Sequence, residues 1–210
     1  MHSVRLLASS GAVSTVVVAA PADDVDYVVH LLGETGCDAE VQVVPGGATR
    51  SQSVRRALQT LADDVDVVLV HDAARPLTPV GLVDAVDAAV RAGHGAVVPG
   101  VPVTDTVKQV AETAEGVFPL VVGTVDRSVL RAVQTPQGFR RDLLEAAYAA
   151  ALADGSLDAT DDAGLVERLG HPVAVVPGEE TAFKVTRPLD LVLADAVLTA
   201  RSGIHDGSRP

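Results

Sequence analysis

Short β-branched runs alternate, along most of this chain, with amphipathic segments about 10–15 residues long. Thr15–Ala20 (TVVVAA) is a continuous apolar run closed by Pro21, the pattern of a strand buried on both faces. Residues 2–10 have helical spacing up to Gly11, and Asp23–Thr35 has it up to Gly36. Glu40–Val44 reads as a strand closed by Pro45-Gly46-Gly47, and Ser51–Leu61 returns to the helical period. Val65–Val70 is a strand ending in His71-Asp72-Ala73-Ala74-Arg75-Pro76; Pro79–Ala92 is a helix and Gly95–Val98 a short strand. Arg141–Ala153, Asp161–Leu169 and Pro188–Arg201 carry helical spacing. Thr160 is the expected N-cap of the second, with Asp161 and Asp162 at its positive end. Pro172–Pro177 and Phe183–Thr186 read as strands, and residues 202–210 as a frayed tail. Such alternation specifies an α/β fold: a mostly parallel sheet, right-handed crossovers and helices on both faces. A single domain suits 210 residues, and no repeat or linker divides them.

Residues 99–139 break the alternation. They are rich in Val and Thr, alternate over Val101–Val110, turn near Glu112–Gly116 and hold no long helix. A structureless loop of that length is improbable in a compact domain, so a β-rich insertion or arm is expected, of a kind that packs on a second subunit.

Composition removes whole classes of function. The formal charge of −12 argues against nucleic-acid or anionic-membrane binding, since both need a basic surface. Aromatics are 2% with no Trp, so there is no platform on which bases could stack. Cys37 is the only cysteine, which removes disulfides and cysteine-based zinc sites. No apolar run approaches the roughly 18–20 residues that span a bilayer, and the N-terminus does not resemble a signal peptide. A soluble cytoplasmic protein is expected.

In open α/β sheets ligands collect beyond the carboxyl ends of the strands. Three polar clusters fall there. Gly46-Gly47-Ala48-Thr49-Arg50-Ser51-Gln52-Ser53 is a glycine turn entering a helix, where free N–H groups favour an anion or nucleotide. Asp72 and Arg75 follow the Val65–Val70 strand: a carboxylate suited to Mg²⁺ or a ribose hydroxyl, and a guanidinium suited to phosphate. An Asp72–Arg75 pair closing a turn is the simpler alternative. Lys184, in Phe183-Lys184-Val185-Thr186, is the third. Only two lysines, Lys108 and Lys184, stand among fourteen arginines, and each has Thr close by; a compact point charge suits a phosphate oxygen. The chain has no GxGxxG, no GxxxxGK[ST] and no GxSxG, and its six histidines show no metal spacing. His71 alone lies near the proposed cleft.

Taken together, GGATRSQSV (46–54), VLVHDAARP (68–76), PVTDTVK (102–108), TVDRSVLRAVQTPQGF (124–139), ATDDAGLVE (159–167) and FKVTRPLDL (183–191) resemble the 2-C-methyl-D-erythritol 4-phosphate cytidylyltransferase family, in the family's order and over most of the chain. The resemblance implies a nucleotide-diphospho-sugar-transferase-like (Rossmann-like) sheet with a β-rich dimerisation arm. It implies transfer of CMP from CTP to methylerythritol 4-phosphate with release of pyrophosphate, assisted by Mg²⁺, in non-mevalonate isoprenoid precursor synthesis. Gly47, Ala48, Ser53, Asp72 and Ala73 would line the cytidine and ribose pocket; Arg75, Thr106, Arg127, Thr135 and Lys184 would hold the methylerythritol phosphate. Arg127 and Lys184 would position the attacking phosphate, and Asp72 is the best metal candidate. Thr106 and Arg127 would come from the other subunit's arm, so a homodimer with a shared site is implied.

The resemblance has one gap. Family members open with a strand and a Gly-rich loop whose Arg and Lys grip the triphosphate. The present sequence starts at what resembles the following helix, so a strand-loop unit on the order of 30–40 residues is expected to be lacking, leaving an apolar inner sheet edge. Either Met1 is a misplaced start or the protein is catalytically impaired. Alternatives to the leading function are a cytidylyltransferase acting on a pentitol phosphate such as ribitol 5-phosphate, and a non-catalytic homodimeric remnant. A glycosyltransferase of similar fold is disfavoured, because Asp64-Val-Asp66 precedes its strand instead of ending one.

Overall fold

The computed structural model describes residues 1–33, 39–114, 117–157 and 159–206. The first half alternates as expected: α1 (His2–Ala8), β1 (Thr15–Ala20), α2 (Val25–Gly33), β2 (Glu40–Pro45), α3 (Arg50–Leu58), β3 (Val67–Val70), α4 (Val80–Arg91) and β4 (Ala96–Pro102). The second half holds β5 (Lys108–Val110), β6 (Val121–Thr124), β7 (Arg131–Val133), β8 (Gln137–Arg140), α5 (Arg141–Ala153), α6 (Ala163–Arg168), β9 (Ala174–Pro177) and α7 (Pro188–Asp206). Among the described residues no helix is long and apolar enough to cross a membrane.

β1 and β2 pair in parallel, Val16 opposite Val41 and Val18 opposite Val43. The larger sheet has the order β3-β8-β4-β7, and β9 joins β4 in parallel. β8 runs antiparallel to β3 and β4, and β7 antiparallel to β4. β3, β4 and β9 therefore share one direction, and the reversal is confined to the two strands that return from the arm, where no helical crossover intervenes. Alternation along β4 supplies both faces. Val97 points to Val86 and Val90 of α4, whereas Ala96 and Val98 point to the cluster of Phe139, Leu144, Tyr148, Leu165 and Val166. α4 lies so close to β8 that a Cβ on Gly138 would sit 2.5 Å from Val86 Cγ1.

β1 and β3 do not pair with each other. Gly46 N–H donates to Ala20 O at the end of β1 (2.7 Å), and Arg50, four residues on, pairs with Asp72 just past β3, so both strands end at one place. Between them lies a slot of about 380 Å³, lined along its length by β1 and β3 and walled by α1 and α3. Facing this slot, β1 is only half-buried at Val17 and Val18 and exposed at Ala19, unlike the doubly buried strand its composition suggests.

The segment expected as an arm over 99–139 divides. Its ends belong to the larger sheet as β4, β7 and β8. What protrudes is the separate hairpin of β5 and β6, with Phe118 at 91% and Leu120 at 74% exposure. Three further expectations are corrected. Asp162, not Thr160, precedes α6, and it is Asp161 Oδ1 that accepts from Gly164 N–H at 3.0 Å. Phe183–Thr186 is no strand: squeezed between a 3-10 turn at Glu180–Ala182 and the helix starting at Pro188, it makes one long-range backbone bond, Val185 N–H to Ala74 O at 2.8 Å. α7 continues through Asp206 into the stretch expected to fray. Cys37, the chain end 207–210 and part of the Glu112–Gly116 turn lie outside the described residues.

Candidate active site

Asp72 is the hub. It follows β3 directly, its N–H is held by Thr135 Oγ1 (3.0 Å), and its carboxylate meets three cations. Arg50 Nε lies 3.5 Å from Oδ1; Arg75 Nε lies 3.5 Å and Lys184 Nζ 3.2 Å from Oδ2. Burial alone would raise the Asp72 pKa, but the hydrogen bond and charge of Lys184, with Arg50 and Arg75, hold it below the usual carboxylate value. The simple ion pair that the sequence allowed is present, as one spoke of a larger cluster.

Each cation has its own support. Arg75 closes the turn after β3, its N–H donating to Asp72 O, and its Nη1 donates to Ala182 O at 2.7 Å. That contact and the Val185–Ala74 bond dock the 180–186 segment on the turn and bring Lys184, half-exposed, against Asp72. Burial lowers the Arg75 pKa, with Asp72 opposing the shift. Arg50 opens α3, whose N-cap Thr49 accepts from Gln52 N–H. The glycine turn ahead of it is fixed from inside: Gly47 N–H donates to Ser53 Oγ at 3.0 Å and Ala48 N–H to Gln52 Oε1 at 2.9 Å. A Cβ on Gly47 would lie 2.3 Å from Gln52 Cβ, so only glycine fits.

Beyond Asp72, Arg50 reaches inward. Its Nη2 donates to Asp162 Oδ2 at 2.6 Å, and Asp162, with a fully buried side chain, also accepts from the Tyr148 hydroxyl. Burial opposes the charge on Arg50, but Asp162, by charge and hydrogen bond, and Asp72 outweigh it and raise its pKa. Burial, reinforced by Asp162, pushes the Tyr148 pKa up and keeps the phenol protonated. His71 is wedged between Thr135 Oγ1 (3.2 Å) and Arg75 O (3.3 Å); burial lowers its pKa.

Asp72, Arg75 and Lys184 thus converge as the sequence suggested, with Gly47 and Ala48 in the turn ahead of Arg50, Ser53 on α3 holding that turn, and Ala73 exposed on the hub turn. Thr135 differs from its expected place as a phosphate ligand: it is 4% exposed and its hydroxyl serves Asp72 and His71. Thr106 and Arg127 stand on the arm, where Arg127 donates to Thr104 O; among the described residues neither bonds to Asp72, Arg75 or Lys184. Sequence reasoning missed Tyr148 and the inward role of Asp162. Local spacing offers no signal for a pairing across 112 positions. Among the described residues no three His, Cys, Asp or Glu side chains gather to hold a metal.

The family model described as 2-C-methyl-D-erythritol 4-phosphate cytidylyltransferase matches residues 1–200. A relative of that name from Frankia casuarinae is 58% identical over 209 residues, covering 100% of this chain and 73% of its own. One from Streptomyces avermitilis is 54% identical, covering 99% of this chain and 82% of its own. Among solved structures, the 2-C-methyl-D-erythritol 4-phosphate cytidylyltransferase of Thermus thermophilus is 48% identical with a TM-score of 0.64, covering 76% of this chain and 73% of that one. The 4-diphosphocytidyl-2C-methyl-D-erythritol synthase of Anaerococcus prevotii is 28% identical with a TM-score of 0.84, covering 94% and 84%. Fold and relatives define an α/β nucleotidyltransferase. The chain belongs to the 2-C-methyl-D-erythritol 4-phosphate cytidylyltransferase family.

Proposed function

We infer that the chain transfers CMP from CTP to 2-C-methyl-D-erythritol 4-phosphate in non-mevalonate isoprenoid precursor synthesis. An oxygen of the 4-phosphate attacks the α-phosphorus of CTP, the α–β phosphoanhydride bond breaks, and pyrophosphate leaves with the electron pair. The product is 4-diphosphocytidyl-2-C-methyl-D-erythritol. The family membership carries this reading, and the three cations around Asp72 give it a physical basis. Two anionic reactants repel, so fixed cations lower the cost of bringing them in line.

In this reading Gly47, Ala48, Ser53, Asp72 and Ala73 receive the cytidine and ribose. Arg75 and Lys184 hold the methylerythritol phosphate, and Lys184, already half-exposed, orients the attacking oxygen. Thr135 acts through the strand end, by fixing the Asp72 N–H. Asp72 is the residue of the cluster whose oxygens are of the kind Mg²⁺ takes, although Arg50, Arg75 and Lys184 already face its carboxylate; when bound, the ion would supply neutralisation of the triphosphate charge. Both reactants are small soluble anions, in keeping with a cytoplasmic setting.

Two structural features extend the reading. The exposed apolar side chains of the arm, Phe118, Leu120, Val122 and Val129, suit a homodimer in which Arg127 and Thr106 enter the partner's cluster. The slot between β1 and β3 suits one further strand, parallel to both, whose following loop would bring cations to the CTP triphosphate.

The test is a panel of acceptors with labelled CTP and Mg²⁺. Label is expected to pass to methylerythritol 4-phosphate, with ribitol 5-phosphate a much poorer acceptor. Preference for ribitol 5-phosphate would favour the pentitol enzyme, and transfer to neither would sink the reading.

A further inference from the structure

Asp162 is a charged side chain with no exposure, about as costly a group as a protein interior can hold. The proposed chemistry gives it nothing to do. Its whole polar environment points one way: Oδ1 accepts from Tyr148, Oδ2 accepts from Arg50 Nη2, and its backbone N–H is fixed by Gln137 Oε1 at 3.2 Å. Gln137, 1% exposed, also takes the N–H of Ala163 (3.1 Å) and donates to Asp161 Oδ2 (2.8 Å), so the turn carrying Asp162 is rigid. Arg50 consequently bridges two carboxylates, a buried one at 2.6 Å and the hub Asp72 at 3.5 Å. The tighter contact is the inner one. Asp162 therefore draws the guanidinium back and keeps it from closing on Asp72, whose Oδ2 is already shared by Arg75 and Lys184.

We propose that Asp162 and Tyr148 are positioning residues for the transfer reaction, acting through Arg50 to set the place of the Asp72 carboxylate. The assignment rests on the Asp72 cluster being the transfer site. Without the Asp162 charge the guanidinium follows Asp72 alone, and the distribution of cations that meets the two phosphates is lost.

The experiment compares wild type, Asp162→Asn, Tyr148→Phe, Arg50→Gln and the double variant Asp162→Asn/Arg50→Gln. Circular dichroism and gel filtration first establish that each is folded. Asp162→Asn is expected to lower kcat/KM for CTP by about 10–100-fold, as loss of a supporting group does. Tyr148→Phe, which removes one hydrogen bond, should lower it about two- to tenfold. If Asp162 acts through Arg50, the double variant is no worse than Arg50→Gln alone, within about threefold. A merely structural role gives losses that multiply, or a kcat/KM within twofold of wild type, and either overturns the proposal. A second readout needs no substrate: the Arg50 Nε–H resonance in ¹⁵N spectra is expected in wild type and shifted or lost in Asp162→Asn. An unshifted resonance overturns the assignment even where wild type itself shows no turnover, an outcome that counts against the transferase reading separately. Should Asp162→Asn not fold, Tyr148→Phe decides both readouts: unchanged kcat/KM with an unshifted Arg50 resonance overturns the proposal.

Discussion

His71 and Asp72 are adjacent in sequence and depend on pH in different ranges. Burial lowers the His71 pKa below its ordinary 6.5, so below pH 6.5 the unfolded chain takes up a proton that the folded chain resists. Stability is therefore lost as pH falls through that region. For Asp72 the folded value lies below 3.8, so its contribution is complete above 3.8 and disappears only as pH falls through the folded value. Thermal unfolding should show Tm falling between pH 7 and 5 in wild type, and falling less in His71→Gln; superimposable profiles would contradict the burial argument. At this scale the sequence was most legible where function sits on short turns. Gly47, Asp72 and Arg75 each have a partner within six positions, so turn chemistry predicts where they sit, whereas the distant contacts to Thr135, Lys184 and Ala182 are not local. Lys184 stands out in the sequence by its rarity among arginines. Asp162 does stand at the helix end where the sequence puts it, but its buried pairing is not legible there, because its partners Arg50 and Tyr148 come from elements that only tertiary packing brings together.

Among elements, periodicity gives the type and approximate extent of β1, β2, α3, α4 and α5, because apolar spacing is local, although the burial of β1 depends on the slot beside it. The apolar content of Phe183–Thr186 reads as a strand, yet what fixes the segment is the turn after β3 and not a ladder partner. The direction of β7 and β8 is likewise set by the arm's return path, which no local pattern encodes. Two predictions belong here. Gly138→Ala places a methyl 2.5 Å from Val86 Cγ1, so α4 must lift from β8, at a cost of about 1–3 kcal/mol; denaturant unfolding measures it, and a stability equal to wild type would contradict the close packing. Among the described residues no strand neighbours the β1 and β3 backbone groups that face the slot. Hydrogen exchange over Val16–Ala19 and Val67–Val70 should therefore outpace that of Ala96–Gly100 in β4, which is paired on both sides. Equal protection would show that the slot is closed in solution.

For the whole molecule, a formal net charge of −12 must coexist with a site for two anions. The resolution is local: Arg50, Arg75 and Lys184 lie within a few ångströms of one carboxylate, whereas distant carboxylates are screened over about 8–10 Å. The proposed dimer makes a further demand. Lys184→Ala and Arg127→Ala proteins should each be inactive, yet a mixture that exchanges subunits should recover activity, because one subunit's arm then completes the other's cluster. A mixture no more active than its components would contradict a shared site. The most direct measurement of the central claim is pyrophosphate release from CTP and methylerythritol 4-phosphate by wild type and Lys184→Ala. The cation cluster predicts clear release by wild type and a drop of about 10²–10³-fold in kcat with the fold intact. Release by Lys184→Ala within twofold of wild type would contradict it.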